Sequence, residues 1–255
     1  MTEETAGIRD EKPHLIPLDA FLAILFSMSL VLLTLSFEKL TRSNLIWETL
    51  CFLVPSLVIL AARQSLATVF TPAAAPPRSA AAALSLLLSA TILGLGISGI
   101  IDNYFDMTEL ETQVLKEITA HPFYERIFLF AAVPAICEEL LFRGVILNSL
   151  RSLGKWASVL LTSALFAIFH GSVELLLPIF VVSLALSLIG WERGGLILAM
   201  ACHFVHNLIN LVLMSLVEGD IALPAAAGMA AGGLILFALS FYLFSKANQS
   251  VEEKV

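Results

Sequence analysis

Residues 136–146 read Ile-Cys-Glu-Glu-Leu-Leu-Phe-Arg-Gly-Val-Ile, so Glu138, Glu139 and Arg143 fall within six positions of an apolar run. Each charge placed mid-membrane costs about 2.5–3.5 kcal/mol on insertion scales, so such residues face one another or a functional site. On a helix, Glu139 and Arg143 are four apart and can pair. Glu138 points about 100° away around the axis and is left for another partner. Further along come Phe166 and His170, four apart, and then His203 with Asn207, also four apart. A carboxylate and an imidazole beside one water can deprotonate it for attack on a carbonyl. A second imidazole and a side-chain amide can hydrogen-bond the oxyanion that develops. Glu138 with His170 supplies the first half, and His203 with Asn207 the second. A carboxylate held away from water is also a more effective base than one in solution. The chemistry suggested is amide hydrolysis.

These side chains need spans to carry them. The chain has 255 residues, 58% hydrophobic and only 14% charged, with a mean hydropathy of +0.92. Soluble domains carry about 25% charged residues, and a membrane-crossing helix needs about 20 apolar ones. The apolar runs are long and do not alternate, which argues against a β-barrel. The expected fold is therefore all-α, a polytopic membrane protein with about eight transmembrane helices in a single membrane domain, 1–255. The spans are expected at 18–37, 45–62, 80–101, 124–150, 155–170, 174–190, 195–217 and 223–245. Residues 124–217 would form the catalytic core. Counting about 1.5 Å per residue from one membrane face, Glu138 lies roughly 18 Å deep, His170 roughly 22 Å and His203 roughly 12 Å. These depths overlap in mid-bilayer, so the groups can meet.

Other features set the frame. The formal charge of −7 comes with no basic patch, so no nucleic-acid partner is expected. Cys51, Cys137 and Cys202 lie in apolar runs and read as small buried side chains. The first 17 residues hold four acids against Arg9 and Lys12, too acidic for a signal peptide, so 18–37 reads as an uncleaved span. With the amino terminus inside, nine Lys and Arg residues fall on the cytoplasmic side and four outside, which puts both termini in the cytoplasm. The segment 71–79, rich in proline, reads as a linker. Thr108 and Glu111 have capping-box spacing, followed by Leu110, Val114, Leu115 and Ile118 on one face. That helix either lies on the membrane surface or simply joins two spans. Pro134 should kink the fourth span. Gly228 and Gly232 have the spacing of a close helix contact.

The three polar clusters resemble the motifs of the CPBP family, the CAAX-protease and bacteriocin-processing proteins that include the Ras-converting CAAX endopeptidase. The resemblance is carried by Glu138-Glu139-Leu-Leu-Phe-Arg143, Phe166-Ala-Ile-Phe-His170 and His203-Phe-Val-His-Asn207, and covers roughly 124–217. It implies a glutamate-dependent intramembrane endopeptidase acting on a membrane-associated protein or peptide, in a bacterial or archaeal inner membrane. It also implies that Glu138 and His170 activate water, that His203 and Asn207 hold the oxyanion, and that Glu139, Arg143 and Phe166 shape the pocket. His206 and Asn210 repeat the spacing of the third motif, so both pairs are candidates, with His203 preferred. No cofactor is expected. Rival readings are a zinc protease using Glu138, His170 and His203, a transporter site, and a membrane scaffold or immunity protein.

Overall fold

The protein is described here by a computed structural model covering residues 15–35, 44–70, 77–106, 108–192, 195–216, 219 and 221–252. The amino-terminal segment, the end of the first expected span and linker residues 71–76 lie outside the described residues. Among the described residues there is no strand. The first helix is α1, Pro17–Leu35, and the second is α2, Asn44–Ala62. Next come α3, Pro77–Asp102, and α4, Glu109–Ala120. A continuous helical run over 123–149 is α5. It is followed by α6, Lys155–Phe169, and α7, Leu176–Trp191. The last two are α8, Gly195–Leu216, and α9, Leu223–Glu252.

Helices α1, α2, α3, α8 and α9 are long and apolar enough to cross a membrane, while α6 and α7 are shorter apolar helices. The protein is thus an all-α, multi-pass membrane protein. Its outward faces carry large apolar side chains, such as Ile235 at 70% exposure on α9 and Phe21 at 60% on α1. That much apolar surface is stable only against lipid.

The prolines in α2 and α5 are absorbed by wide turns. Pro55 follows a π-helical turn over Thr49–Leu53, and Pro134 follows one over Phe128–Ala132. Proline lacks an N–H, and its ring collides with the carbonyl four residues back; a wider turn moves that carbonyl aside. The expected break at Pro134 is therefore a π turn inside a continuous helix. A second π segment, Leu140–Ile146, carries Arg143. Asn148 Nδ2 donates to the carbonyls of Arg143 at 2.8 Å and Gly144 at 3.1 Å, satisfying acceptors there.

α5 lies at the centre, against α1, α2, α6, α7 and α8. One apolar core joins α1 and α2 to α5 through Leu60, Leu141, Phe142 and Ile146. A second joins α3, α6, α7, α8 and α9 through Leu86, Leu186, Ile189 and Phe244. α3 and α9 pack along much of their lengths, and Ser85 and Ser240 bond across them at 2.9 Å.

Two expectations are corrected at this level. Helix α3 already begins at Pro77, so residues 77–79 are helix; proline suits a first helical turn, whose N–H groups have no intrahelical acceptor. Nor do Gly228 and Gly232 make the close contact, since a Cβ at either would meet nothing within 4 Å. The neighbouring Gly233 does: a Cβ there would lie 2.6 Å from Leu93 N, and one at Gly96 would lie 2.3 Å from Ala230 N. The spacing named a small-residue stripe, but the rotation of α9 about its axis decides which glycine faces α3.

Helix α4 starts directly after Thr108, as the capping spacing predicts; the side chains of Leu110 and Glu111 are outside the described residues. Val114 remains 49% exposed, while Leu115 and Ile118 are half-buried. At its end His121 Nδ1 meets Glu125 Oε2 at 3.0 Å, and Nε2 meets Glu117 Oε1 at 3.5 Å. Arg126 donates to the carbonyls of His121 and Thr119.

Two predictions follow from these contacts. Gly233→Val forces a side chain into the Leu93 backbone and should lower stability by about 1–3 kcal/mol, read as a lower unfolding temperature in detergent. The hydrogen bond that His121 donates to Glu125, helped by Glu117, raises the His121 pKa above its ordinary value. A raised imidazole pKa stabilises the α4–α5 junction fully below the unfolded value, and that stability is lost as pH rises through the folded value. Amide exchange at 119–126 should therefore accelerate, beyond the intrinsic pH effect, above neutrality, and should lose that excess in His121→Gln.

Candidate active site

The site is built around a cation removed from solvent. Arg143 is 0% exposed, as is Glu139. Its NH1 donates to Glu139 Oε1 at 2.6 Å, across one helical turn. Its NH2 donates to the Ser183 carbonyl at 2.9 Å and Ser183 Oγ at 2.6 Å, and Nε donates to Ser187 Oγ at 3.3 Å. Ser187 Oγ is in turn 3.1 Å from Ser163 Oγ on α6. The guanidinium also lies over the Phe166 ring, 4.7 Å from its centroid, a favourable cation–π contact. Room for the arginine stem comes from Gly190, where a Cβ would sit 2.7 Å from Arg143 Cγ.

Ser183, Ser187 and Gly190 were not singled out by the motif reading. Their signal is a stripe on one helical face of α7, at spacings of four and three.

Glu139 then fixes an imidazole. His203, 4% exposed, lies on α8 with Nδ1 2.9 Å from the same Glu139 Oε1. That oxygen already accepts from Arg143, so Nδ1 must be the donor. The other ring nitrogen, Nε2, is thereby aimed at Glu138, 3.8 Å from its Oε2. Glu138 is 8% exposed, and its Oε2 has no hydrogen-bond partner. Glu138 and Glu139 therefore occupy different faces, as their adjacency in a helix requires.

His170 ends α6, and Gly171 follows with φ +71, in the left-handed region that terminates a helix cheaply. Its Nδ1 donates to the Phe166 carbonyl at 2.9 Å, which leaves Nε2 as the free nitrogen. Its ring packs on Phe166 at 4.7 Å, and His203 packs on the same ring at 5.8 Å. Phe166 thus separates and spaces the two imidazoles. His170 makes no hydrogen bond or ion pair to Glu138 among the described residues. Asn207 lies one turn beyond His203 on α8, half-buried, with no side-chain hydrogen bond among the described residues.

His206 and Asn210 are placed apart from the acids. His206 Nδ1 bonds Thr91 Oγ1 at 3.0 Å, and Asn210 Nδ2 donates to His206 Nε2 at 3.0 Å. Thr91 passes its own hydrogen to the Leu87 carbonyl. Both ring nitrogens of His206 are therefore occupied in tying α8 to α3. Glu138, His170 and His203 do not form a metal-holding set: among the described residues no three His, Cys, Asp or Glu side chains are so arranged. All three cysteines are buried and unpaired. One buried acid, Glu48 on α2, was not singled out by the motif reading although it lies inside a span; its oxygen Oε2 also lacks a partner.

Residues 121–209 match the Rce1-like family, described as type II CAAX prenyl endopeptidase Rce1-like. A curated relative from Escherichia coli, described as an uncharacterized 24.3 kDa protein, is 30% identical over 114 residues, covering 37% of this chain and 52% of the relative. The chain thus spans about half the length of that relative. No solved structure gives a significant match. The matched segment runs from the junction before α5 through most of α8, and so takes in Glu138, Glu139, Arg143, Phe166, His170, His203 and Asn207. Over that segment the chain is similar to the Rce1-like family of CAAX prenyl endopeptidases.

Proposed function

We propose that this chain is a glutamate-dependent intramembrane endopeptidase that hydrolyses a peptide bond of a membrane-associated protein or peptide. The observation that carries the reading is the Glu138 carboxylate, buried with an unpartnered oxygen 3.8 Å from an oriented imidazole. A buried acid left without a partner is costly unless a ligand or water completes it. In this reading residues 124–217 are the catalytic core of one membrane domain, and both termini lie in the cytoplasm of a bacterial or archaeal cell.

Glu138 takes a proton from water while the water oxygen attacks the carbonyl carbon. The free nitrogen of His170 approaches the same water from α6. His203 donates from Nε2 to the oxyanion, which requires both its ring nitrogens to carry hydrogen, since Nδ1 donates to Glu139. The Asn207 amide, otherwise uncommitted, adds a second donor. When the intermediate collapses, the C–N bond breaks and the proton held by Glu138 passes to the departing amine. Arg143 and Glu139 keep the imidazole aimed, and Phe166 spaces His203 from His170.

Two variants separate chemistry from scaffold. Glu138→Gln should insert and fold normally while cleavage falls by about 10²–10⁴-fold, the usual contribution of a general base. A membrane-proteome comparison of this variant with wild type should reveal peptides that cease to be cut; undiminished cleavage overturns the mechanism. Glu139→Gln strips the counter-charge from a fully buried arginine and should instead cost about 3–5 kcal/mol of stability, seen as a lowered unfolding temperature and poor recovery from detergent.

A further inference from the structure

The connection between α3 and α5 belongs to neither the site nor the two apolar cores, yet it forms a helix. In α4, Glu109–Ala120, the residues Leu110, Val114 and Ile118 follow one another at i, i+4 spacing with Leu115 beside them, while Glu109, Gln113 and Lys116 take the opposite face. Among the described residues none of the side chains of α4 is buried, and α4 is not packed along any other helix. A helix of 12 residues is marginal when it stands alone in water. Something outside this chain must therefore cover its apolar face.

The segments on either side show what that is. Helix α3 crosses the membrane and ends at Asp102. Asn103 Nδ2 then donates to the Gly99 carbonyl at 2.7 Å and the Ile221 carbonyl at 2.8 Å, holding this exit level with the start of α9. Tyr104, 68% exposed, and Phe105 follow directly, and α5 opens with exposed Phe123 and with Tyr124 at 71%. Aromatic side chains collect where hydrocarbon meets headgroups, so α4 is strung between two aromatic exits on one side of the membrane. Nor can its carboxyl end swing away. Arg126 of α5 donates to the carbonyls of His121 at 2.7 Å and Thr119 at 3.0 Å, and the His121 ring lies 5.9 Å from that of Phe130. The apolar face of α4 thus continues the lipid-facing surface of the bundle. Charge settles how it is held there. Residues 102–126 contain six Asp and Glu against Lys116 and Arg126, so the attraction is apolar and anionic headgroups add nothing to it.

We propose that α4 is an interfacial anchor that lies flat in the bilayer surface, with Val114 and Ile118 among the upper acyl chains and Gln113 and Lys116 toward water. Its partner is the lipid surface, bound by burial of apolar area and not by charge. Through the bonds of Arg126 the anchor sets the height in the membrane of α5, the helix that carries Glu138.

The test uses the full chain in phosphatidylcholine vesicles, spin-labelled at one introduced cysteine: Val114→Cys, Ile118→Cys, Gln113→Cys or Lys116→Cys. The native cysteines are buried, and the unsubstituted chain gives the background. Labels at 114 and 118 should meet oxygen more often than a water-soluble nickel complex and sit about 5–10 Å into the headgroup and acyl boundary. Labels at 113 and 116 should show the reverse. Raised salt should leave these depths unchanged, because it screens charge and not apolar burial; an outward shift overturns the apolar mode. Four labels equally open to nickel overturn the anchor, as does low access to both reagents at 114 and 118, which marks a protein contact such as a second copy. Should the cysteine variants fail to accumulate, the unsubstituted chain decides: phosphatidylcholine with a photoreactive group high on its acyl chain should label 109–120, and no label there overturns the proposal. The double variant V114E/I118E should bring amide exchange over 109–117 close to that of an unfolded segment, and exchange as slow as wild type overturns it too. None of these measurements involves cleavage, so their failure leaves the endopeptidase reading standing.

Discussion

A guanidinium sealed inside an apolar bundle is the constraint around which this protein is arranged. Moving Arg143 out of water costs several kcal/mol even after relaxation, and that cost is offset only if its hydrogens and its charge are all answered. Glu139 answers the charge, and Ser183 and Ser187 take hydrogens that the carboxylate cannot reach. The Phe166 face covers the flat side. Every one of these partners lies on a different helix or a different turn, so satisfying one side chain fixes α5, α6 and α7 relative to one another.

The consequences spread outward from that cation. Gly190 has no side chain because the arginine stem occupies the space where one would be. The same Glu139 oxygen that neutralises Arg143 accepts from His203 Nδ1, so the pair that stabilises the scaffold also selects which ring nitrogen faces Glu138. Scaffold and site are one network. The guanidinium of Arg143 is bonded through all three of its nitrogens. Glu138, Glu139 and Glu48 each keep an oxygen without a partner, and Asn207 keeps its amide uncommitted. Unsatisfied buried polar groups are expensive, and in a folded protein they concentrate where something else binds or reacts.

The helix irregularities fit the same picture. α5 carries two π segments, one ahead of Pro134 and one through Arg143. Wide turns of this kind recur at functional sites because they shift the side chains that follow around the axis. Here they lie on either side of the Val133–Glu139 stretch, which carries both acids. α8 needs no such device: its His203 and Asn207 fall on one face by ordinary spacing, while His206 and Asn210 turn toward α3.

Much of this was legible in the chain. Long apolar runs without alternation dictate helices in lipid, because an apolar solvent forces backbone groups to bond within their own segment. The i, i+4 spacing of Glu139 and Arg143 dictates their pairing, and adjacency puts Glu138 on another face. Other matters lay beyond the sequence. Which of two equally spaced His–Asn pairs faces the acids depends on the rotation of α8 about its axis, just as Gly233 in place of Gly228 and Gly232 depends on that of α9. Local spacing is blind to such rotations, since it fixes which residues share a face but not what that face meets. Ser183 and Ser187 gained meaning only once Arg143 was set against them, and Glu48 only once α2 was packed on α5. A lone acid in an apolar run carries no address in the sequence; which segment its stretch packs on is decided by a contact between segments some ninety residues apart in the chain, and only tertiary packing makes that contact.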